Sequence, residues 1–95
     1  MIKHIVFFKL KDGNQQNITK TKDVLLSMEG KIPVVRHLEV GVDVIRSDRS
    51  YDLSLIVEVD SLEDLDLYQV HPVHKEIITY IAQVKESVVV VDYEF

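Results

Sequence analysis

From Tyr51 to Val59 the chain alternates cleanly, with Tyr51, Leu53, Leu55, Val57 and Val59 on one side and Asp52, Ser54, Ile56 and Glu58 on the other. A period of two predicts a half-buried β-strand. Ile2 to Leu10 predicts another, rich in β-branched and aromatic residues, with faces Ile2/His4/Val6/Phe8/Leu10 and Lys3/Ile5/Phe7/Lys9. Pro33 introduces a third alternating stretch, Val34 to Val44, and the Val-rich segment Ser87 to Phe95 closes the chain as a fourth strand. Helical spacing fills the gaps. Ile18, Val24, Leu25 and Met28 predict a helix from about Asn14 to Glu29, after the turn Lys11-Asp12-Gly13-Asn14 and before a stop at Gly30. Arg46 to Ser50 reads as a polar turn. Ser61-Leu62-Glu63-Asp64 is close to a capping box and opens a short helix through Leu62, Leu65 and Tyr68. Pro72 then begins a longer one, with Ile77, Ile78, Ile81 and Val84 on one face.

Strand, helix, two strands, a broken helix and a strand make an α+β fold, the ferredoxin-like βαββαβ arrangement: a four-stranded antiparallel sheet with helices on one side. The first and last strands are apolar on both faces: Ile5 and Phe7 oppose Val6 and Phe8, and Val89 and Val91 oppose Val88 and Val90. A sheet with one wet face should not read that way, and no spare helix remains to cover the second face. A twofold homodimer, with two sheets packed face to face through Ile5, Phe7 and the outward residues of strand four, is the economical solution.

Composition narrows the class. Ninety-five residues make one small domain, residues 1–95, and 46% hydrophobic with 28% charged residues describes an ordinary globular chain. The 11 basic and 16 acidic residues leave a net charge of −5 and form no Lys/Arg stripe, which argues against a nucleic-acid partner. Without cysteine there is no disulfide, thiolate nucleophile or Cys-based metal site. No apolar run approaches the ~18–20 residues of a membrane span, so no membrane association and a cytoplasmic location are expected.

Candidate chemistry concentrates in Leu67-Tyr68-Gln69-Val70-His71-Pro72-Val73-His74. Because Pro72 opens a helix, His71 and His74 fall at a helix start, where exposed N–H groups favour a neutral imidazole. The bland alternative is a polar kink in which His71 caps the helix and His74 is solvated. His4, on the apolar strand face with Val6 and Phe8, reads as a core histidine or as a third member of a pocket. His37, beside Glu39 and Asp43, reads as a surface or dimer-edge residue, and Tyr93 as a sheet-packing aromatic.

The chain resembles the stress-responsive dimeric α/β-barrel domain family. The resemblance rests on Met1-Ile2-Lys3-His4-Ile5-Val6 with Phe8-Lys9, Gly30-Lys31-Ile32-Pro33, Glu39-Val40-Gly41, Tyr51-Asp52-Leu53, Tyr68-Gln69-Val70-His71-Pro72-Val73-His74 and Val91-Asp92-Tyr93, in order and at the family's spacing. The Tyr-x-x-His-Pro-x-His element is its most specific part. The resemblance implies a ferredoxin-like subunit that dimerises through its sheets. It also implies a candidate chemistry, because the family includes a plant polyketide cyclase similar to olivetolic acid cyclase. Carried over, the catalytic histidine corresponds to His74, the supporting tyrosine to Tyr68 and a further pocket histidine to His4, with no cofactor and no metal.

The residues are compatible with three function classes. One is a cofactor-independent cyclase or lyase acting on a β-ketoacyl or similar small apolar substrate. The second is a non-catalytic dimeric module that binds a small apolar metabolite or serves stress tolerance. The third is a metal site built on the i,i+3 pair His71 and His74; it lacks an identified third ligand, and no metal is expected.

Overall fold

The structure, a computed structural model, describes residues 1–95. Its elements are β1 (Ile2–Leu10), α1 (Gln15–Leu26), β2 (His37–Val42), β3 (Leu53–Val59), α2 (Leu62–Val70), α3 (Pro72–Val84) and β4 (Lys85–Glu94). The four strands form one sheet in the order β2-β3-β1-β4 with every neighbouring pair antiparallel. This is the expected ferredoxin-like βαββαβ fold.

Register decides which residues share a face. Val6 of β1 stands between Leu55 of β3 and Val90 of β4, and His4 stands between Val57 and Asp92. The even-numbered side of β1 and the odd-numbered side of β3 meet the helices in one core, with Ile18, Leu25, Leu65, Tyr68, Ile77 and Ile81 packed against Ile2, Val6, Phe8, Leu55 and Val57. The reverse face carries Ile5 and Phe7 beside Val91 and Val89. Phe7 is 43% exposed and Val91 60%, so this apolar face is open in the subunit. No helix is long and apolar enough to cross a membrane.

Caps explain the helix ends. The Asn14 side chain accepts from the Asn17 N–H at 2.8 Å and the Ser61 hydroxyl accepts from the Asp64 N–H at 3.1 Å, which occupies one orphan donor of each first turn. Elsewhere the boundaries move. Helix α1 stops at Leu26 rather than Glu29, because Ser27 to Gly30 turn away and Gly30 adopts a φ of +76°, a conformation that suits glycine. The second strand begins at His37 rather than Val34. The Val35 N–H donates to the Ile32 carbonyl in a turn, so Val34 and Val35 pack on the core without joining the ladder. It ends at Val42, and Val44 lies in an exposed connection. The fourth strand starts earlier than expected, at Lys85, directly after α3.

The third strand opens at Leu53 rather than Tyr51, and Asp52 just before it still bonds Phe8 and Asp43 through its main chain. Its buried carboxylate accepts the Leu10 N–H at 2.8 Å and pairs with the Arg46 guanidinium at 2.9 Å. Arg46 also reaches the Gly13 carbonyl at 3.2 Å, which ties the β2–β3 connection to the end of β1. A Cβ on Gly13 would sit 3.3 Å from both Asp52 carboxylate oxygens, so the glycine lets the backbone pass close to this pair. Asp52→Ala is expected to cost about 2–3 kcal/mol, since a buried N–H loses its charged acceptor. A urea midpoint equal to that of the wild type would contradict this account.

Candidate functional site

Three elements deliver the singled-out side chains to one place. His4 projects from β1 on the helix-covered face, Tyr68 comes from the last turn of α2, and His74 from the first turn of α3. The chain breaks between the two helices because Pro72 cannot continue α2 but suits the first position of α3. His71 bridges the break: its Nδ1 accepts the Val73 N–H at 3.1 Å, so it serves as the helix cap. That half of the bland expectation holds. The other half does not, because His74 is only 8% exposed.

Tyr68 lies fully buried between the two histidines. Its ring centroid is 4.4 Å from that of His74 and 5.8 Å from that of His4, the latter edge-on. The phenol oxygen has only the Met28 sulfur as a partner, at 3.9 Å. A thioether is a weak acceptor, so the O–H is held in place with its donor capacity largely unspent. Burial pushes the Tyr68 pKa up, which keeps it a phenol at any ordinary pH.

His74 donates from Nδ1 to the Gln69 carbonyl at 3.0 Å. This contact sets the tautomer and leaves the lone pair on Nε2. Burial lowers the His74 pKa; the Gln69 hydrogen bond opposes that shift, and the nearby charges of His4 and His71 add to it. The direction is the one expected for an imidazole at a helix start, and desolvation is its first cause here.

Asp92 completes the cluster, although it lies outside the Tyr-x-x-His-Pro-x-His motif. Its Oδ1 lies 2.5 Å from Nδ1 of His4, its register partner across β1 and β4. One signal did exist in the sequence: Asp92 continues the Val88/Val90 side of the last strand, and a carboxylate ending an apolar face needs a partner. His37 is exposed and meets only Glu39 at 3.3 Å, away from the cluster. Tyr93 lies on the reverse face of the sheet.

These four residues line one end of a cleft of about 310 Å³ between the helices and the sheet. The remaining wall is mostly apolar, with Val6, Phe8, Ile77, Ile78, Ile81, Val88 and Val90 prominent. A mostly apolar cleft with a few convergent polar groups is the usual form of a small-molecule site. No three His, Cys, Asp or Glu side chains are arranged to hold a metal ion, and Nδ1 of both His71 and His74 is already engaged. Chemically, the cluster offers a neutral imidazole, a buried O–H donor and a carboxylate-oriented second imidazole beside an apolar chamber.

Known proteins share this framework. An uncharacterized protein of Streptomyces coelicolor, SCO4036, is 28% identical over 98 residues, spanning all of both chains. A dimeric protein of unknown function and ferredoxin-like fold from Bacteroides fragilis superposes with a TM-score of 0.84 at 34% identity, over 99% of this chain and 95% of that one. A hydroxynitrile lyase from Passiflora edulis has the same fold, with a TM-score of 0.82 at 21% identity, over 97% and 90% of the two chains. The model of the stress responsive A/B barrel domain matches residues 2–95. With β1 through β4 and the Tyr68–His74 element all inside that match, the chain belongs to the stress responsive A/B barrel domain family.

Proposed function

We propose that this chain is a cofactor-independent acid–base catalyst, a cyclase or lyase acting on a β-ketoacyl or similar small apolar substrate, with His74 as its general base. The observation that carries the reading is the state of His74. It is a buried imidazole, with Nδ1 tied to the Gln69 carbonyl and Nε2 free, at the wall of an apolar cleft. In the cyclisation, Nε2 takes a proton from a methylene between two carbonyls. The Tyr68 O–H donates to the developing enolate oxygen, and the carbanion attacks a second carbonyl of the same chain, forming the C–C bond. The resulting alkoxide takes the proton back from the imidazolium. The apolar wall excludes water that would otherwise compete for the enolate.

The catalytic unit in this proposal is a homodimer joined through the reverse sheet face of Ile5, Phe7, Val89 and Val91. The exposure of that face in the subunit and the dimeric description of the Bacteroides fragilis relative support it.

The test is to supply free and acyl-CoA-linked poly-β-ketones and follow the cyclised product across pH. Because burial lowers the His74 pKa, the base stays neutral below the ordinary imidazole value of about 6.5. The acid limb of kcat/KM is therefore expected below that pH, with a plateau at neutrality. The same shift acts on stability. The contribution is complete above about pH 6.5 and is lost as pH falls toward the folded-state value, since the unfolded chain then binds the proton first. An acid limb centred above pH 6.5 would remove His74 from the role. Binding of these ketones without turnover would mark the chain as a binding module instead.

A further inference from the structure

The cleft is electrically polarised along its length. Its two walls, α3 and β4, join without a loop residue at Val84–Lys85. The Lys11 N–H donates to the Val84 carbonyl at 2.9 Å and Leu10 pairs with Lys85, so this junction is fastened to the end of β1. From that end the lining follows the β1–β4 register: Lys85 beside Leu10, Val88 beside Phe8, Val90 beside Val6, and Asp92 beside His4. An exposed cation therefore sits at the α3–β4 junction, an apolar stretch in the middle, and the carboxylate of Asp92 at the histidine end. His4 and Leu10 are six residues apart on β1, which separates the two ends by about 20 Å of strand.

Lys85 is free to meet a ligand. It is the single lysine or arginine of the lining and takes part in none of the chain's ion pairs. Glu86, the extra residue of the β-bulge beside it, does not line the cleft. The last carbonyls of α3 oppose Lys85 with only about half an elementary charge, so the end stays positive. Across the slot, Ile78 of α3 is 50% exposed and Val90 of β4 49%. The two apolar walls face each other with no protein group covering them, and an apolar chain laid between them would remove that surface from water.

We propose that the substrate is a linear keto acid with a free carboxylate, bound with the carboxylate at Lys85 and the reacting carbon at His74. This rests on the acid–base reading above and adds the substrate class and its direction in the cleft. Asp92 repels an acid from the histidine end while Lys85 attracts it to the other, so one binding direction is selected. A cleft of about 310 Å³ is at the small end of ligand sites, which limits the ligand to a small, slender chain.

The test uses octanoate and methyl octanoate, titrated by NMR into the wild-type protein, Lys85→Met, Lys85→Arg and His74→Ala. The wild type is expected to bind octanoate about five- to tenfold tighter than the ester, the scale of one charge-assisted contact. Lys85→Met should equalise the two ligands by weakening octanoate alone, and Lys85→Arg should keep the preference. Equal binding in the wild type, no binding of either ligand, or a preference that survives in Lys85→Met would each overturn the inference. His74→Ala separates the two readings. A protein that fails in every turnover assay yet shows the octanoate preference in wild type and His74→Ala would end the catalytic reading and uphold the ligand class. Turnover that needs His74 but is indifferent to Lys85→Met, with no octanoate preference, would do the reverse.

Discussion

His74→Ala is expected to lower the turnover of poly-β-ketone substrates by about 10²–10⁴, the usual contribution of a positioned general base. The two imidazole nitrogens of His74 have different surroundings. Nδ1 is engaged by the Gln69 carbonyl, so Nε2 is the one basic atom that His74 presents to the cleft. Alanine removes it, and Tyr68 cannot take its place because burial holds it as a phenol. The substitution also leaves the Gln69 carbonyl without its donor, at a cost of about 1–3 kcal/mol. His74→Asn is therefore the companion variant, with an amide that can donate to that carbonyl but cannot act as a base. Tyr68→Phe should cost on the order of 10² by removing one donor to the enolate oxygen while keeping the ring between the two histidines. Circular dichroism and thermal melting establish that each variant is folded. Wild-type rates in folded His74→Ala and His74→Asn would refute the assignment of the base.

Phe7→Asp is expected to convert a dimer into monomers. In the subunit Phe7 leans on Tyr51, with ring centroids 6.4 Å apart, and otherwise faces outward beside Val89 and Val91. Contiguous apolar surface of this kind is unusual on a free-standing soluble chain. Pairing the two sheets buries it, and a carboxylate at position 7 would then lie against apolar side chains with no partner. Desolvating an unpaired charge costs several kcal/mol, enough to offset a large part of a dimer's binding energy at micromolar concentration. The subunit itself tolerates the change, because residue 7 points away from its core. Light scattering should give twice the 11.0 kDa chain mass for the wild type and the single chain mass for Phe7→Asp. A wild type that stays monomeric at high micromolar concentration, or a Phe7→Asp protein that stays dimeric, would rule out the reverse face as the interface.

Much of the architecture was legible in the chain because it is written locally. The alternation through β3, the two-sided apolar pattern of β1, the Ser61 cap and the Pro72 restart each depend on a few neighbouring residues, and each marks an element the structure contains. Boundaries were less legible. Val34 and Val35 alternate like strand residues, yet they fill the core from a turn, because β3 offers a ladder partner only from Arg36 onward. Asp52 reads as a solvent-side strand position, yet it is the buried acceptor that secures Leu10 and Arg46.

The candidate site divides the same way. Tyr68, His71 and His74 lie within seven residues, so the local sequence determined that they flank a helix break and that His71 would be its cap. Composition and charge likewise excluded thiol chemistry and argued against a basic nucleic-acid surface. Only the tertiary structure decided that His74 is buried, that Gln69 takes its Nδ1 proton, and that Asp92 meets His4 across 88 positions of chain. The same holds for Lys85, which joins the lining of the cleft only once α3 and β4 fold back on one another. Periodicity and caps are short-range properties of a chain. Strand register, desolvation and the tautomer of an imidazole are properties of what the chain is packed against.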